Sequence, residues 1–519
     1  MKVQPFHALY AEDSLMHQAS QQEFSKYVDH IGTEGMHTRS QQIQDRQYPH
    51  LSLLVDELIR QNPQLNDELK ERLEQLRTGE AQVVITGQQT GIFGGPLYAV
   101  YKLLTCLKVA RETEELLDRP VLPIFWLATE DHDFDEINHL IVPTHDYQTR
   151  KLTVAAPDSI ARSVSRLTFD QAAVKEIVRQ ALYTEQETQH TKDLLALSDR
   201  LIETSTTYGG FFAAFLGELV NHDIIFFDAD AEAVRQLEIP FFERLIQDNA
   251  DIRQALSEGI QQTADLPDTF LNEEAAHLFV EDIGRDLLYP GQDFVTKQGK
   301  TYTELELLAL LYASPERFSN SVVTRPLMQD YLFPTLAYIG GPGEIAYWTR
   351  LRPLFHHFDW TMPLLIPRMG AVMVQARDEK RLQQHTFTLE QALSEGIPIA
   401  PFDAAKIKQQ LHASTLLGEV LMEEVAQVEK NVLNTTSISA KLNKQLQLTF
   451  ETIIDQERRL HEQANRSDRA LQYQLSPGGV PQERIHSILP WLNRYGLDLL
   501  QTLRVHYERT EAEQLKILI

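Results

Sequence analysis

Val121-Leu122-Pro123-Ile124-Phe125-Trp126-Leu127-Ala128 runs without a charge and opens, after Thr129, into Glu130-Asp131-His132-Asp133-Phe134-Asp135-Glu136-Ile137-Asn138-His139. A short apolar run bounded by polar residues is the pattern of a strand covered on both faces, as in a parallel sheet. Two further runs of this kind, Gln82 to Thr86 and Asp223 to Asp228, stand on either side of it in the chain, with helix-patterned stretches between them. Strands that alternate with helices predict an α/β sheet. Weaker strand signals at Ser321 to Val323 and Pro363 to Ile366 predict that distant parts of the chain complete the sheet. From Gln41 to Arg77, positions such as Leu51, Leu54, Val55 and Leu58 recur at helical spacing, broken at Asn62-Pro63, and predict helices leading into the core.

Outward from the sheet, the chain divides by composition. Residues 1–155 read as the first part of the core and 156–209 as a polar, mostly helical insertion; 210–373 read as the second part of the core with a further insertion. Residues 374–475 read as a helical coiled-coil domain, and from about Asp403 to Tyr473 there is almost no proline or glycine. Ile407, Leu411, Ser414, Gly418, Leu421, Val425, Val428 and Val432 step by four and three, as do Leu442, Leu446, Thr449, Ile453, Gln456 and Leu460. That spacing predicts a coiled coil, and Asn434-Thr435-Thr436-Ser437 between the two rows predicts the turn of an antiparallel hairpin. Each helix shows only a narrow apolar stripe, which suits a homodimer formed through the hairpin. After Ser476-Pro477-Gly478-Gly479, residues 476–519 should return to the core as a helix.

At 519 residues the chain exceeds what one core usually holds. With 43% hydrophobic and 24% charged residues it has the composition of a globular protein. A net charge of −26 argues against a nucleic-acid partner. The lack of a signal peptide or an 18-residue apolar run argues against a membrane and for a cytoplasmic protein. The single cysteine, Cys106, sits among Leu103, Leu104 and Leu107 and reads as packing.

Three constellations could carry chemistry. Gly87-Gln88-Gln89-Thr90-Gly91-Ile92-Phe93-Gly94-Gly95-Pro96 follows a strand and precedes a helix. Glycines there permit close backbone approach, and free N–H groups at the helix start could cradle an anion. The loop has neither the dinucleotide nor the P-loop spacing, so it reads as structural or as an anion site through Gly87, Gln88, Gln89, Gly94 and Gly95. Tyr98 and Lys102, one turn apart, could add a hydrogen bond and a positive charge. The second constellation lies at the carboxyl end of a strand, where open α/β sheets bind ligands. Its crowded carboxylates need solvent, raised pKa values or a cation. Asp131, His132, Asp133, Asp135, Glu136 and His139 are therefore the catalytic candidates, as amine or Mg²⁺ ligands or as a general base. His132 and His139 have no spacing that aims both at one zinc, and no metal is assigned. The third runs from Asn320 through Thr324-Arg325-Pro326 to Gly340-Gly341-Pro342-Gly343-Glu344-Ile345-Ala346-Tyr347-Trp348. Arg325, expected just after a strand, could fork a substrate carboxylate or pair with a structural one; Gly341, Gly343, Glu344 and Tyr347 would form a second ligand wall.

Taken together, Gly87-Gln88-Gln89, Gly95-Pro96-Leu97-Tyr98, the acidic block, Thr324-Arg325-Pro326, Asp330-Tyr331-Leu332-Phe333-Pro334-Thr335, Gly340 to Trp348 and Ile488-Leu489-Pro490-Trp491-Leu492-Asn493-Arg494-Tyr495-Gly496 resemble, in order, the blocks of the bacillithiol-biosynthesis cysteine-adding enzyme family. The resemblance spans essentially the whole chain. It implies a Rossmann-like core with helical insertions and a dimerising coiled coil. It also implies amide formation between cysteine and the glucosamine amine of glucosaminyl-malate. Joining a carboxylate to an amine needs activation, so ATP and Mg²⁺ are the expected co-reactants. On this reading the glycine loop holds phosphate, Asp133 or His132 takes the amine proton, and Arg325 binds the malate carboxylates. A metal-dependent hydrolase or deacetylase-like enzyme built on the acidic block, and a nucleotide-binding scaffold of the pathway, are the alternatives.

Overall fold

A computed structural model describes every residue except 1, 8, 11–13, 20, 158, 159, 386, 434–436, 511 and 513. The chain forms two compact units. One comprises Met1–Val142, Arg150–Val374 and Gln482–Ile519; the other comprises Pro143–Thr149 and Gln375–Pro481.

The first unit is built on five strands: β1 (Gln82–Gln88), β2 (Val121–Leu127), β3 (Ile225–Asp228), β4 (Thr335–Gly340) and β5 (Leu364–Pro367). They are ordered β5-β4-β1-β2-β3, and every neighbouring pair is parallel. Successive side chains enter opposite cores, which explains the uninterrupted apolar runs. Val121, Phe125 and Leu127 join one core, while Leu122, Ile124 and Trp126 join the other. The helix Leu97–Leu117 covers the first face and carries Cys106, which is fully buried against the Val84 carbonyl. Strand order reverses between β1 and β4, so the crevice at their carboxyl ends is the topological switch point of a Rossmann-like sheet.

Two expectations need correction. Ser321 to Val323 is not a strand. Phe318–Asn320 is one, but it belongs to a second, antiparallel sheet with Leu278–Glu281, Arg285–Pro290, Phe294–Thr296 and Thr301–Tyr302. The Thr324 hydroxyl accepts from Ser321 N–H at 3.0 Å and the Ser321 hydroxyl from Val323 N–H at 3.1 Å. These local bonds end the strand and turn the chain into the helix Thr324–Leu332. The chain after residue 476 is also more than a helix. Gln482–Ile485, Leu489–Tyr495 and Leu499–Glu508 are helical, and Gln514–Leu518 is a strand between Lys2–Pro5 and Gly370–Val374.

In the second unit the helices His412–Val428 and Ser437–Ala464 pack on each other. A Cβ on Gly418 would lie 3.2 Å from the Leu446 side chain, so glycine permits the close approach. Phe402, before the first helix, meets His461, near the end of the second, with ring centroids 5.7 Å apart, as an antiparallel pair requires. The turn expected at Asn434, Thr435 and Thr436 lies outside the described residues. Leu417, Val420, Leu421 and Val428 on one helix and Leu448 and Leu460 on the other remain exposed. Among the described residues, no helix is long and apolar enough to cross a membrane.

Candidate active site

The carboxyl ends of β1, β2 and β4 open into a cavity of about 630 Å³. Its volume suits a small-molecule ligand. The antiparallel sheet supplies the facing wall through His277, Phe279, Arg285 and Asn320.

Lys102 and Glu344 close the switch point. Lys102 comes from the helix after β1 and Glu344 from the helix Pro342–Trp348 after β4. The buried ammonium donates to the Gly87 carbonyl at 2.8 Å and to Gln88 Oε1 at 2.9 Å, and it pairs with Glu344. Glu344 also accepts from Gly341 N–H at 2.8 Å and from the Tyr338 hydroxyl. Burial pulls the Lys102 pKa down while Glu344 opposes it. Burial would raise Glu344, but the Lys102 charge and these donors hold its carboxyl below the usual range. All three ammonium donors are occupied, so the positive charge that Lys102 adds to this face is already paired with Glu344 and is not solvated.

The glycine loop is corrected as well. Phe93, Gly94 and Gly95 hold left-handed φ values of 55°, 78° and 66°, and Phe93 packs against Phe215 with centroids 4.7 Å apart. Gly94 and Gly95 do not line the cavity; a Cβ on Gly94 would lie 2.9 Å from Leu216. The first N–H of the following helix, Leu97, donates to the His486 carbonyl at 2.8 Å. The loop therefore does not fit a phosphate at its helix start, and only Gly87, Gln88 and Gln89, with Tyr98 and Lys102, face the cavity.

The acidic block divides in two. Asp131, His132 and Glu136 line the cavity together with Glu130. Asp133 and Asp135 lie outside the cavity lining, and His139 does not reach it, because the short helix Phe134–Ile137 anchors through buried Phe134 and Ile137 and turns these positions away. The backbone before the helix is pinned: Val164 N–H donates to Asp131 O at 2.8 Å and Ser165 N–H to Thr129 O at 3.0 Å. Glu130 Oε2 accepts from buried Arg235 at 2.7 Å. Asp131 accepts from Gln89 Nε2 at 2.7 Å and from the His132 backbone N–H at 2.7 Å, with Arg285 Nη1 3.6 Å away. Burial would raise its pKa, but Arg285 and these donors hold it below the usual range.

Arg285 also decides what His132 can do. Its Nη1 lies 3.0 Å from His132 Nδ1. A guanidinium only donates, so Nδ1 must present its lone pair and Nε2 must carry the proton. Burial and the Arg285 charge both lower the His132 pKa. His132 is therefore a neutral donor toward substrate, which corrects its reading as a general base. Glu136, exposed at the cavity wall, is better suited to accept a proton, since desolvation there and the carboxylates of Asp133 and Asp131 push its pKa up.

Arg325 lies in the first turn of the helix Thr324–Leu332 and lines the cavity between the faces of Trp126 and Tyr338, 4.9 and 5.1 Å from the ring centroids. Its Nη2 donates to Gln329 Oε1 at 3.2 Å, and its buried Nη1 has no partner among the described residues. Gly341, Gly343, Glu344 and Tyr347 line the same wall. Arg368 pairs in bidentate fashion with Glu483 at 2.6 and 2.8 Å, while Arg484 is exposed in the cavity lining. Among the described residues, no group of three or more His, Cys, Asp or Glu is spaced to hold a metal ion.

Sequence reasoning missed Arg285, His277, Arg368 and Arg484, and it did not single out Asn320. Their places depend on contacts between distant segments. The local signal at Arg285 is Asp282-Ile283-Gly284, a hairpin turn in which a Cβ on Gly284 would lie 2.8 Å from Ala161 O.

Residues 8–369 match the family model "Bacillithiol biosynthesis BshC, N-terminal Rossmann-like domain", and residues 378–518 match its "C-terminal coiled-coil domain". Relatives that carry the name "Putative cysteine ligase BshC" include the following three. The protein of Exiguobacterium sibiricum is 82% identical over 519 residues, all of both chains. That of Bacillus cytotoxicus is 34% identical over 476 residues, 86% of this chain and 87% of its own. That of Bacillus cereus is 32% identical over 512 residues, 92% of each. These two domains correspond to the Rossmann-like first unit and the helical hairpin of the second, and the chain belongs to the BshC family of bacillithiol biosynthesis.

Proposed function

We propose that the chain is a cysteine ligase that joins the cysteine carboxyl to the glucosamine amine of glucosaminyl-malate. The observation that carries this reading is the charge layout of one cavity. Arg325 offers a guanidinium nitrogen without a protein partner among the described residues, and Glu136 offers a carboxyl whose pKa is raised. Arg325 receives a malate carboxylate, and the rings of Trp126 and Tyr338 hold the guanidinium in place. An amine attacks only as the free base. Glu136 accepts its proton, and Asp131, kept ionised beside Arg285, attracts the ammonium form on entry. His132 Nε2–H donates to the carbonyl oxygen on which negative charge builds as the C–N bond forms.

ATP with Mg²⁺, as co-substrate, supplies the activation that makes the cysteine carboxyl an acyl donor. No residue is assigned to its phosphates, because the glycine loop does not fit them. The exposed apolar rows of the hairpin, including Leu417 and Leu421, suit a second copy of the chain as partner.

The test is incubation of the purified chain with cysteine, glucosaminyl-malate and Mg-ATP, following thiol product and phosphate release. Product formation with stoichiometric pyrophosphate or orthophosphate supports the ligase. Glucosaminyl-malate that stays unchanged overturns it. Release of pyrophosphate would identify an adenylate and orthophosphate an acyl phosphate.

A further inference from the structure

Two neutral polar side chains in the cavity wall take no part in the charge layout. Asn320 is 2% exposed and His277 3% exposed, and both line the cavity. Neither Asn320 Oδ1 nor Nδ2 has a hydrogen-bond partner among the described residues, and the same is true of His277 Nε2. Leaving such atoms unpaired in the interior is costly, and a buried carboxamide with both ends unpaired calls for an explanation.

Their backbones, by contrast, are anchored. Asn320 pairs with Leu278 in the antiparallel sheet, beside His277. Asn320 N–H donates to Glu130 Oε2 at 3.3 Å, and its carbonyl accepts from Arg285 Nη2 at 2.7 Å. The His277 carbonyl accepts from the Thr324 hydroxyl at 2.8 Å, and the residue is held at a φ of 58°. The structure thus anchors the backbone at both positions while leaving the Asn320 carboxamide and His277 Nε2 unpartnered among the described residues.

The chemistry of these atoms selects the ligand. A carboxylate only accepts hydrogen bonds and an ammonium only donates them, so either would satisfy half of a carboxamide. A hydroxyl does both. Burial and the nearby Arg253 charge bring the His277 pKa down to about 4, so the imidazole is neutral at pH 7 and also matches a hydroxyl. We infer that Asn320 and His277 form a hydroxyl-reading subsite that receives the sugar ring of the amine substrate, apart from the charged groups held by Arg325 and Asp131. The inference rests on the ligase reading and adds the residues that would distinguish a glycoside from a simpler amino acid or hydroxy acid.

Calorimetric titration of the intact chain with glucosaminyl-malate, with malate alone and with an analogue lacking one sugar hydroxyl tests it. Asn320→Leu removes the carboxamide at nearly constant shape, and His277→Asn is the second variant because asparagine tolerates left-handed backbone. The expected result is a loss of glucosaminyl-malate affinity of about 10- to 100-fold in each variant, with malate affinity unchanged. The wild type should also favour the parent over the deoxy analogue, and Asn320→Leu should not. Equal affinity of wild type and both variants for glucosaminyl-malate overturns the subsite alone. A wild-type chain that binds no glucosaminyl-malate overturns the ligase reading with it.

Discussion

Replacing Lys102 by methionine should destabilise the first unit, and the structure bounds the amount. The substitution keeps the length of the side chain but leaves the Gly87 carbonyl without its 2.8 Å donor and Glu344 without its counter-ion. Breaking a buried pair by removing one partner costs about 3–5 kcal/mol. Glu344 keeps the Gly341 N–H and the Tyr338 hydroxyl, and its side chain is 22% exposed, so the lower end, about 3 kcal/mol, is expected. Glu344→Gln should cost about 1–3 kcal/mol, because the ammonium is then left buried beside a neutral amide. In the Lys102→Met/Glu344→Gln double variant no charge is stranded, so its cost should fall about 2 kcal/mol short of the sum. Urea unfolding followed by tryptophan fluorescence measures all three. The four tryptophans, Trp126, Trp348, Trp360 and Trp491, all lie in the first unit, so the signal reports the unit that holds the pair. A coupling below about 0.5 kcal/mol would refute the argument that these residues act as one buried pair.

Glu136→Gln should lower kcat by about 10²- to 10⁴-fold with little change in either KM. In the wild type the rate should fall as pH drops through the raised Glu136 pKa, since a protonated carboxyl cannot take the amine proton; this acid limb should vanish in the variant. A limb that survives unchanged assigns the base elsewhere. Arg325→Met should raise KM for glucosaminyl-malate about 10- to 100-fold while leaving KM for cysteine alone, and Arg325→Lys should recover part of the loss. Equal KM values in wild type and methionine variant would remove Arg325 from substrate binding. For the proposed pairing of two copies through the hairpin, light scattering should give a dimer for the wild type and a monomer for Leu417→Asp combined with Leu421→Asp, with the unfolding of the first unit unchanged; a monomeric wild type or an unaltered dimer would overturn that pairing.

Most of the parallel sheet is legible in the sequence because both faces are covered: the runs at Gln82, Val121 and Asp223 need no partner to be recognised as buried strands. The hairpin helices are legible because Gly418 and Leu446 sit on rows of helical spacing and meet where those rows predict. The local structure at Arg325 is harder to read. Pro326, in the first turn of its helix, is the start signal that outweighs the β-branched run before it. The division of the acidic block cannot be read locally, since Asp131, Asp133 and Asp135 are chemically equivalent until the Phe134 anchor aims the backbone. The role of His132 depends on Arg285, 153 residues away in sequence, and no periodicity connects the two. Lys102 and Glu344 each stand out in their own segment, but only the adjacency of β1 and β4 turns two candidate ligands into one ion pair.

The buried Cys106 has a consequence for the redox life of the protein. Attack on a disulfide requires a thiolate that can reach it. Cys106 is fully enclosed, and burial pushes its thiol up to about 12. As the single cysteine of the chain, it leaves the native protein without a surface sulfur for exchange. On the ligase reading proposed above, the enzyme would accumulate no mixed disulfide with its thiol substrate or thiol product, and its mass should be unchanged after exposure to cystine. Its activity under oxidation would then depend on the supply of reduced substrate and not on the state of its own sulfur.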